Sequence, residues 1–235
     1  LMESDRRISE FEEHYSEDRY RVDPRLGAMV TRLDESTGML MSKLEELGLS
    51  GHTLILFYSD NGGKESYASQ HPYRKGKGWL YEGGIRVPMI ASWPGMVPAG
   101  TTNDVITSSI DLFPTLSELA DIEKIPAAPD GISIAGEMRG EVYPAMPRNL
   151  YWHYPHYHRG SGMKPASAIR KGNWKLIEWH EPFLQQQDAW ELYDLSADPG
   201  ETTDLSEKYP EKVEELRKEL YLWRDKVEAQ MPHLQ

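Results

Sequence analysis

The sequence predicts an α/β fold in which a helix packs on a sheet of buried strands, followed by a small antiparallel sheet with one packed helix. An amphipathic helical stretch precedes apolar runs at 53–59 and 87–93, and these runs have the β-branched and aromatic character of buried strands. Nearer the carboxyl end, four short strand-like segments precede a last helical segment. That order is typical of a second, smaller layer of sheet and helix.

The first helix is predicted to begin at Pro24 with Asp23 as its cap, because Asp is a favoured helix cap and Pro suits the first helical position. Apolar residues then recur at helical spacing as far as Gly48, a residue type common at helix ends. We expect this apolar stripe to pack on the sheet beside the strand at 53–59. Its members are Leu26, Met29, Val30, Leu33, Leu40, Met41, Leu44 and Leu47.

The remaining elements follow from caps, turns and periodicity. A helix is predicted over 109–120 with Ser109 or Asp111 as its cap, and a final helix over 211–229. Lys171-Gly172-Asn173 is interpreted as a tight hairpin turn between two of four predicted strands. Those strands are 149–153, 166–170, 173–179 and 190–194.

The composition is that of a folded, acidic protein. Among 235 residues there are seven Trp and thirteen Tyr, and 39% are hydrophobic, which is more than disordered chains contain. A formal net charge of −12 argues against general nucleic-acid binding, and no run of about eighteen apolar residues is present. We therefore expect neither nucleic acid nor a membrane as a partner. The absence of cysteine excludes disulfides and thiol chemistry in this sequence.

A polar loop directly follows the first predicted strand. Asp60-Asn61 stands at the carboxyl end of that strand, and Gly62-Gly63 comes next. Open α/β sheets bind ligands at this end of their strands, and glycines allow a sharp turn and a close backbone approach. The carboxylate and amide oxygens suit Ca²⁺ or Mg²⁺ better than zinc. The alternative is an ordinary Asx turn that ends a strand.

A cationic, glycine-rich loop covers 73–88 and carries four glycines and four basic residues. Backbone amides in such a loop can face an anion, and a lysine ammonium can hold phosphate, sulfate or carboxylate as a point charge. Combined with Asp60-Asn61, this loop predicts a metal ion beside an anionic group. Glu82 and Arg86 are expected to form a pair that braces the loop.

Several blocks, in this order, resemble the sulfatase family of the alkaline-phosphatase-like superfamily. The resemblance runs from about Leu26 to Trp223 and implies part of an alkaline-phosphatase-like mixed sheet between helices, followed by the small carboxyl-terminal subdomain of sulfatases. The blocks are SDNGG at 59–63, RKGKGWLYEGGIRVP at 74–88, SWPG at 92–95, SIDLFPTL at 109–116, AIRKGNWKL at 168–176, ELYDL at 191–195 and DPGET at 198–202.

The resemblance also implies a domain organisation. Residues 1–22 form a charged arm, 23–135 the carboxyl-terminal part of the sulfatase α/β domain, and 136–235 a small α+β subdomain. Because the arm is highly charged and weakly periodic, we expect a partly ordered helix or a frayed segment there. The Pro-, Gly- and Ala-rich stretch 121–147 is interpreted as the crossing between the two larger parts.

Site roles follow from the same resemblance. In sulfatases the Asp-Asn pair coordinates a divalent cation, usually Ca²⁺, which implies that Asp60 and Asn61 bind metal. The lysine of the Gly-Lys-Gly element contacts the ester sulfate, which implies a catalytic and substrate-binding role for Lys77. Physically these roles agree, because a cation and an ammonium both stabilise negative charge on sulfuryl oxygens. Lys75 is an additional charge where relatives often carry glycine.

Two parts of the sulfatase pattern are absent from the sequence. The formylglycine of sulfatases is made from a Cys or Ser in a Cys/Ser-x-Pro-x-Arg segment, and no such segment occurs here. Nor is there an Asp-Asp dipeptide, which supplies two further metal ligands in the family. The chain therefore resembles the carboxyl-terminal part of a sulfatase without the formylglycine-bearing region. We expect it to be inactive alone and to bind Ca²⁺ poorly.

The segment 152–159 places three histidines among aromatic residues. It is interpreted as a zinc site, as a substrate-recognition loop whose rings contact sugars, or as a structural aromatic loop. Related sulfatases place loops from this region near the leaving group, which implies substrate binding by His153 and His156. His71 and His180 are interpreted as isolated surface or packing residues.

Two classes of function remain open. The first is a sulfuric-ester hydrolase that acts on a small-molecule or carbohydrate sulfate ester and takes metal-binding and sulfate-binding residues from this chain. The second is a non-catalytic module that binds an anion. A phosphoester hydrolase of the same superfamily is a further alternative, although the GKG-x-x-YEGG pattern favours sulfate. An exposed sheet edge would permit a homo-oligomer, and the resemblance implies a periplasmic or secreted location.

Overall fold

The computed structural model describes residues 5–15, 22–122, 129–141, 148–180 and 190–232. The chain divides into two compact units, and each is built from separate stretches of sequence. The first contains residues 1–35, 59–88 and 147–235, and the second contains 36–58 and 89–146. The boundaries at 22 and 135 that the sequence suggests stay a prediction.

The first unit is built on a four-stranded antiparallel sheet whose strands, in order, are β3 (Asn149–Tyr154), β4 (Ala166–Lys171), β5 (Trp174–Trp179) and β6 (Trp190–Asp194). Each strand begins within one residue of its predicted start. Between β4 and β5, Gly172-Asn173 forms a two-residue turn in which Gly172 has φ +59°, a conformation that glycine adopts readily.

Both faces of this sheet are covered by apolar side chains. On one face helix α6 (Pro210–Lys226) buries Leu216 and Leu220 against a cluster formed by Ile169, Leu176 and Leu192. This confirms the predicted antiparallel sheet with one packed helix. The second apolar cluster joins the sheet to the glycine-rich loop and consists of Leu80, Tyr81, Met163, Ala166, Ala168, Ile177, Tyr193 and Leu195. The loop is therefore packed on the sheet.

Two helices precede the strands. α1 (Asp5–Tyr15) confirms a helix in the charged arm. α2 (Pro24–Glu46) begins as predicted, and the Asp23 carboxylate accepts a hydrogen bond from the Arg25 backbone N–H at 2.9 Å. No helix in the described ranges combines the length and apolarity needed to cross a membrane.

The predicted packing of the α2 apolar stripe is wrong for the part of the chain that the structure describes. Only Gly27 and Ala28 are buried in this helix, and most of the large apolar side chains of the stripe are exposed. The periodicity correctly predicts the helix and its apolar side. It does not show which element packs on this side, and in the described part of the chain most of the side remains exposed.

The second unit contains a two-stranded antiparallel sheet of β1 (Ile55–Tyr58) and β2 (Met89–Ser92). Both strands were predicted, but both are shorter than predicted and neither is buried. Phe57 and Ile90 pair directly across the sheet and are 36% and 60% exposed. A continuous apolar run is typical of a central strand, yet among the described residues β1 pairs with β2 alone, so burial was the wrong expectation here.

The same unit holds the predicted helix near residue 110. A 3₁₀ turn over Ser109–Asp111 leads into α4 (Leu112–Leu119), and the cap is Ser108, which forms a reciprocal capping box with Asp111. The buried Asp111 carboxylate also accepts the Ile132 backbone N–H at 2.9 Å. The short helix α5 (Ala135–Met138) follows, and α3 (Glu82–Ile85) lies in the first unit.

Candidate functional site

The Asp60-Asn61 loop is held by hydrogen bonds within itself. One carboxylate oxygen of Asp60 accepts the Asn61 backbone N–H at 2.9 Å and the Asn61 side-chain amide at 3.1 Å. The Ser59 hydroxyl donates to the Asn61 carbonyl oxygen at 2.9 Å. These contacts leave Asp60 Oδ2 and Asn61 Oδ1 without a hydrogen-bond partner in the described part of the chain. Two hard oxygen donors are therefore available next to each other.

Glycine contacts join this loop to the glycine-rich loop. The Gly62 N–H donates to the Gly84 carbonyl at 2.9 Å, and the Lys77 N–H donates to the Gly63 carbonyl at 2.9 Å. A Cβ atom at Gly62 would overlap the carbonyl oxygen of Gly83. Only glycine permits this backbone approach, so the motif glycines bring Lys77 close to the Asp60-Asn61 loop.

The four basic residues of the glycine-rich loop differ in their contacts. Arg74 donates to the Tyr193 hydroxyl at 2.9 Å, Lys75 lies 4.0 Å from a Glu65 carboxylate oxygen, and Arg86 lies 3.8 Å from Glu82. The Lys75 ammonium also stands 4.8 Å from the centre of the Trp79 ring. Lys77 is exposed, and its ammonium has neither an ion pair nor a hydrogen bond among the residues described. It is the cation of this loop left available for a ligand.

A buried ion cluster anchors the glycine-rich loop to the sheet. The Lys175 ammonium on β5 lies 3.0 Å from Glu82 and 2.8 Å from Glu201, and all three side chains are buried. Glu201 also accepts the Glu82 backbone N–H at 2.5 Å. Burial raises the pKa of Glu201, against the lowering effect of Lys175. The expected Glu82–Arg86 pair is present at 3.8 Å, but Lys175 makes the closer contact.

Lys175 was not identified from the sequence, because the residues around it do not indicate contacts with Glu82 and Glu201. A lysine inside a strand usually indicates the solvent side, and its partners stand far from it in the sequence. A second polar group was missed for the same reason: Glu191 accepts hydrogen bonds from the Tyr81 and Tyr193 hydroxyls at 2.6 and 2.8 Å. Burial, followed by interaction with Glu191, raises the pKa of both tyrosines above the usual range.

His153 lies within a chain of hydrogen bonds on the sheet. Its Nδ1 is 2.7 Å from the Ser167 hydroxyl and its Nε2 is 2.8 Å from the Gln230 carbonyl. The same hydroxyl lies 2.8 Å from His180 Nε2, so His180 is not isolated but has the packing role that the sequence analysis allowed. Burial, with smaller contributions from Arg224 and His153, lowers the pKa of His180 to about 4.

The other two histidines of the segment lie in the connection after β3. His156 is exposed and its ring contacts Tyr154, with the ring centres 5.9 Å apart. His158 instead packs on the glycine-rich loop, because a Cβ added at Gly78 would meet His158 Nδ1. Across the described ranges no three His, Asp or Glu side chains are placed to hold a metal ion, so the zinc interpretation has no support there. The roles of Asp60, Asn61, Lys77, His153 and His156 stay predictions.

Two family models match the chain. The model described as Sulfatase matches residues 4–122, and the one described as N-sulphoglucosamine sulphohydrolase, C-terminal, matches residues 71–227. Each covers half of the chain or more.

The chain belongs to the sulfatase family.

Individual sulfatases and solved structures agree with this assignment. A sulfatase of Formosa agariphila is 36% identical over 210 residues, which are 80% of this chain and 37% of that protein. The crystal structure of Ps i-CgsB in complex with k-i-k-neocarrahexaose is similar with a TM-score of 0.76 and 30% identity, over 94% of this chain and 46% of that one. A protein crystallised with its substrate D-glucosamine-2-N,6-O-disulfate gives a TM-score of 0.71 and 26% identity, over 89% and 41%. The chain thus spans less than half the length of these relatives.

The expected sulfatase metal can be tested against the donors that this chain offers. Asp60 Oδ2 and Asn61 Oδ1 are hard oxygens with the chemistry that Ca²⁺ or Mg²⁺ prefers. They are only two donors, whereas Ca²⁺ takes about six to eight oxygen ligands. The two oxygens therefore have the right chemistry for a hard cation, but two ligands by themselves are too few to hold it tightly.

Proposed function

We propose that this chain provides part of the active site of a sulfuric-ester hydrolase. In this proposal Lys77 contacts the ester sulfate, and Asp60 and Asn61 supply two oxygen ligands to Ca²⁺ or Mg²⁺. The observation that supports it most directly is the backbone contact between the two loops, in which the Lys77 N–H donates to the Gly63 carbonyl at 2.9 Å. That contact places the backbone of Lys77 beside the loop that carries two available oxygen donors, and the Lys77 ammonium has no counter-ion among the described residues.

Each of these residues would have a distinct task. The ammonium of Lys77 would bind the sulfate and stabilise negative charge that builds up on its oxygens or on the leaving oxygen. Asp60 and Asn61 would hold the cation, which, when bound, withdraws electron density from the sulfuryl oxygens. Neither loop contains a nucleophile of the formylglycine type, so we propose that the chain alone turns over no ester.

A carbohydrate sulfate ester is the substrate class that the relatives suggest. One similar structure is a complex with k-i-k-neocarrahexaose, and another is a complex with D-glucosamine-2-N,6-O-disulfate, named as its substrate. We propose that His153 and His156 lie on the sugar side of the site. A contact from His153 would use its ring carbons, since both of its ring nitrogens already have hydrogen-bond partners.

Sulfate binding tests the role of Lys77. We expect inorganic sulfate, titrated into the chain at constant ionic strength, to shift the backbone NMR signals of Gly76 to Gly78. Lys77→Met should weaken this binding about tenfold or more, because it removes the available ammonium. Lys75→Met is the matched control in the same loop, and it should have a much smaller effect because Lys75 already contacts Glu65 and Trp79. Equal losses in the two variants would contradict a specific role for Lys77.

Calcium binding tests the metal assignment separately. We expect Ca²⁺ to shift the Asn61 amide signals with weak affinity, and Asp60→Ala to abolish the shift without unfolding the chain. Unchanged Ca²⁺ binding in Asp60→Ala would overturn the assignment.

Turnover assays test the proposed inactivity of the chain and the phosphoester hydrolase alternative. The chain should hydrolyse neither p-nitrophenyl sulfate nor p-nitrophenyl phosphate, while binding sulfate through Lys77. Hydrolysis of the sulfate ester by the chain, lost in Lys77→Ala, would refute the proposed inactivity. Hydrolysis of the phosphate ester instead would favour the phosphoester hydrolase.

A further inference from the structure

His158 lies in a short loop that is docked on the glycine-rich loop. The His158 N–H donates to the Met163 carbonyl at 3.0 Å, and this pairing closes the loop 158–163. The Trp79 indole N–H donates to the Ser161 carbonyl at 3.1 Å, which ties the closed loop to the glycine-rich loop. Gly78 has φ +88° and no room for a side chain, because His158 and Ser161 occupy that space. The imidazole therefore packs on the residue that follows Lys77.

The loop also fixes the tautomer of the neutral His158 ring. His158 Nδ1 accepts the Ser161 backbone N–H at 3.2 Å and lies 2.9 Å from the Ser161 hydroxyl. That hydroxyl accepts the Met163 N–H at 3.2 Å, so its own proton is directed to Nδ1. Because Nδ1 receives hydrogen bonds, the ring proton of the neutral imidazole resides on Nε2. No partner for Nε2 occurs among the residues that the structure describes.

The surroundings of this N–H group suit a sugar better than a bare anion. The His158 ring stands edge-on to the Tyr154 ring, with the ring centres 6.4 Å apart, and the ring is half-buried. A ring N–H donor beside an aromatic ring is typical of sites that bind hydroxyl groups, whereas the ammonium of Lys77 is the group suited to an anion. A purely structural role would account for the Nδ1 contacts but not for an N–H donor held in one orientation beside the sulfate-binding loop.

We propose that His158 is a substrate-binding residue whose Nε2–H donates to a hydroxyl of the sugar that carries the ester sulfate. This inference rests on the proposed role of Lys77 and goes further, because it divides the site into a sulfate part at Lys77 and a sugar part at His158. It also assigns a sulfated carbohydrate as the substrate class in preference to an aryl sulfate.

Two substitutions at His158 separate the two ring nitrogens. His158→Asn keeps a polar atom near the position of Nδ1 for the Ser161 contacts and removes Nε2. His158→Gln keeps a donor near the position of Nε2. We expect His158→Asn to weaken binding of N-acetylglucosamine 6-sulfate about five- to tenfold, as the loss of one hydrogen bond predicts, and His158→Gln to restore part of it. Binding is measured by NMR titration of the chain.

Three probes distinguish failure of this inference from failure of the proposed function. Inorganic sulfate and p-nitrophenyl sulfate carry no sugar hydroxyl, so His158→Asn should leave their affinity unchanged, whereas Lys77→Met should weaken all three ligands. His52→Asn makes the same chemical change at an exposed position elsewhere and should have no effect.

Equal weakening of all three ligands by His158→Asn would indicate a loop-supporting role and overturn the sugar contact. An unchanged affinity for the sulfated sugar would overturn it as well, while the role of Lys77 stands. If Lys77→Met weakens none of the ligands, or if no ligand binds to the chain, the proposed function fails and this inference fails with it.

Discussion

Lys175 carries the ion cluster that anchors the glycine-rich loop. Its ammonium is fully buried between Glu82 and Glu201, both of which are buried as well. Lys175→Met would leave two buried carboxylates without their shared cation, a change that costs about 3–5 kcal/mol when a buried pair is broken. We expect a loss of that order in the free energy of unfolding, measured by guanidinium titration.

Lys171→Met is the matched control for that measurement. Lys171 forms ion pairs with Glu215 and Glu219, but all three side chains are partly exposed, so about 1 kcal/mol or less should be lost. Equal losses in the two variants would contradict the anchoring role of Lys175.

Gly62 gives a second test at the level of one residue. A Cβ atom there would overlap the Gly83 carbonyl oxygen, and backbone atoms cannot move aside as a flexible side chain can. We expect Gly62→Ala to separate the two loops and to lower the thermal midpoint by several degrees, as about 1–3 kcal/mol of steric strain would. Gly38→Ala, in α2 with no atom nearby, should be neutral or slightly stabilising.

How well single residues could be predicted depended on whether their partners lie close in the sequence. Asp60, Asn61 and Lys77 stand in short motifs whose glycines indicate close backbone contacts, and their two loops are in fact hydrogen-bonded. His158 and Lys175 meet partners that are distant in sequence, so no local pattern indicates them. For the same reason His180 was interpreted as isolated although it shares the Ser167 hydroxyl with His153.

At the level of elements, the residue after β5, His180, predicts how the stability of the chain depends on pH. His180 is held neutral in the folded chain, with its pKa lowered by burial to about 4. In the unfolded chain its pKa is near 6.5, so that state binds an extra proton between pH 6.5 and 4. Stability should therefore fall as pH decreases through this window and should lose nothing further from this group below it. The expected contribution is about 2–3 kcal/mol.

The His180→Gln variant isolates this contribution from other titrating groups. It keeps a donor for the Ser167 hydroxyl but does not titrate, so its free energy of unfolding should depend less on pH between 6.5 and 4 than that of the natural chain. Buried Glu178, whose carboxylate lies 3.9 Å from the His180 ring and whose pKa is raised by burial, is present in both proteins. Parallel pH profiles for the two proteins would show that His180 is not the group responsible.

The elements themselves were predictable where sequence neighbours are also structural neighbours. β3 to β6 pair in chain order, so short strand-like segments and a glycine turn were enough to locate them. β1, β2 and α2 were also located, yet their burial was predicted wrongly. Burial depends on what covers an element, and an apolar run contains no information about whether its cover lies within the same chain.

At the level of the whole molecule, the two compact units are each discontinuous in sequence, so composition alone could not indicate them. The exposed apolar surface is also a feature of the whole molecule. The chain spans less than half the length of its sulfatase relatives. Whether the apolar surface of a sheet is covered depends on the chain as a whole rather than on any one residue.

This surface leads to a prediction about association. Phe57 and Ile90 pair across a two-stranded sheet and are exposed, and apolar strands with open edges associate readily. We expect the chain to form homo-oligomers at high protein concentration, as measured by sedimentation velocity. The double variant Phe57→Lys and Ile90→Lys should shift the chain to monomer, because charge on a strand surface opposes pairing. Leu222→Lys, at an exposed apolar position on α6, should not, and a chain that stays monomeric without substitution would contradict the prediction.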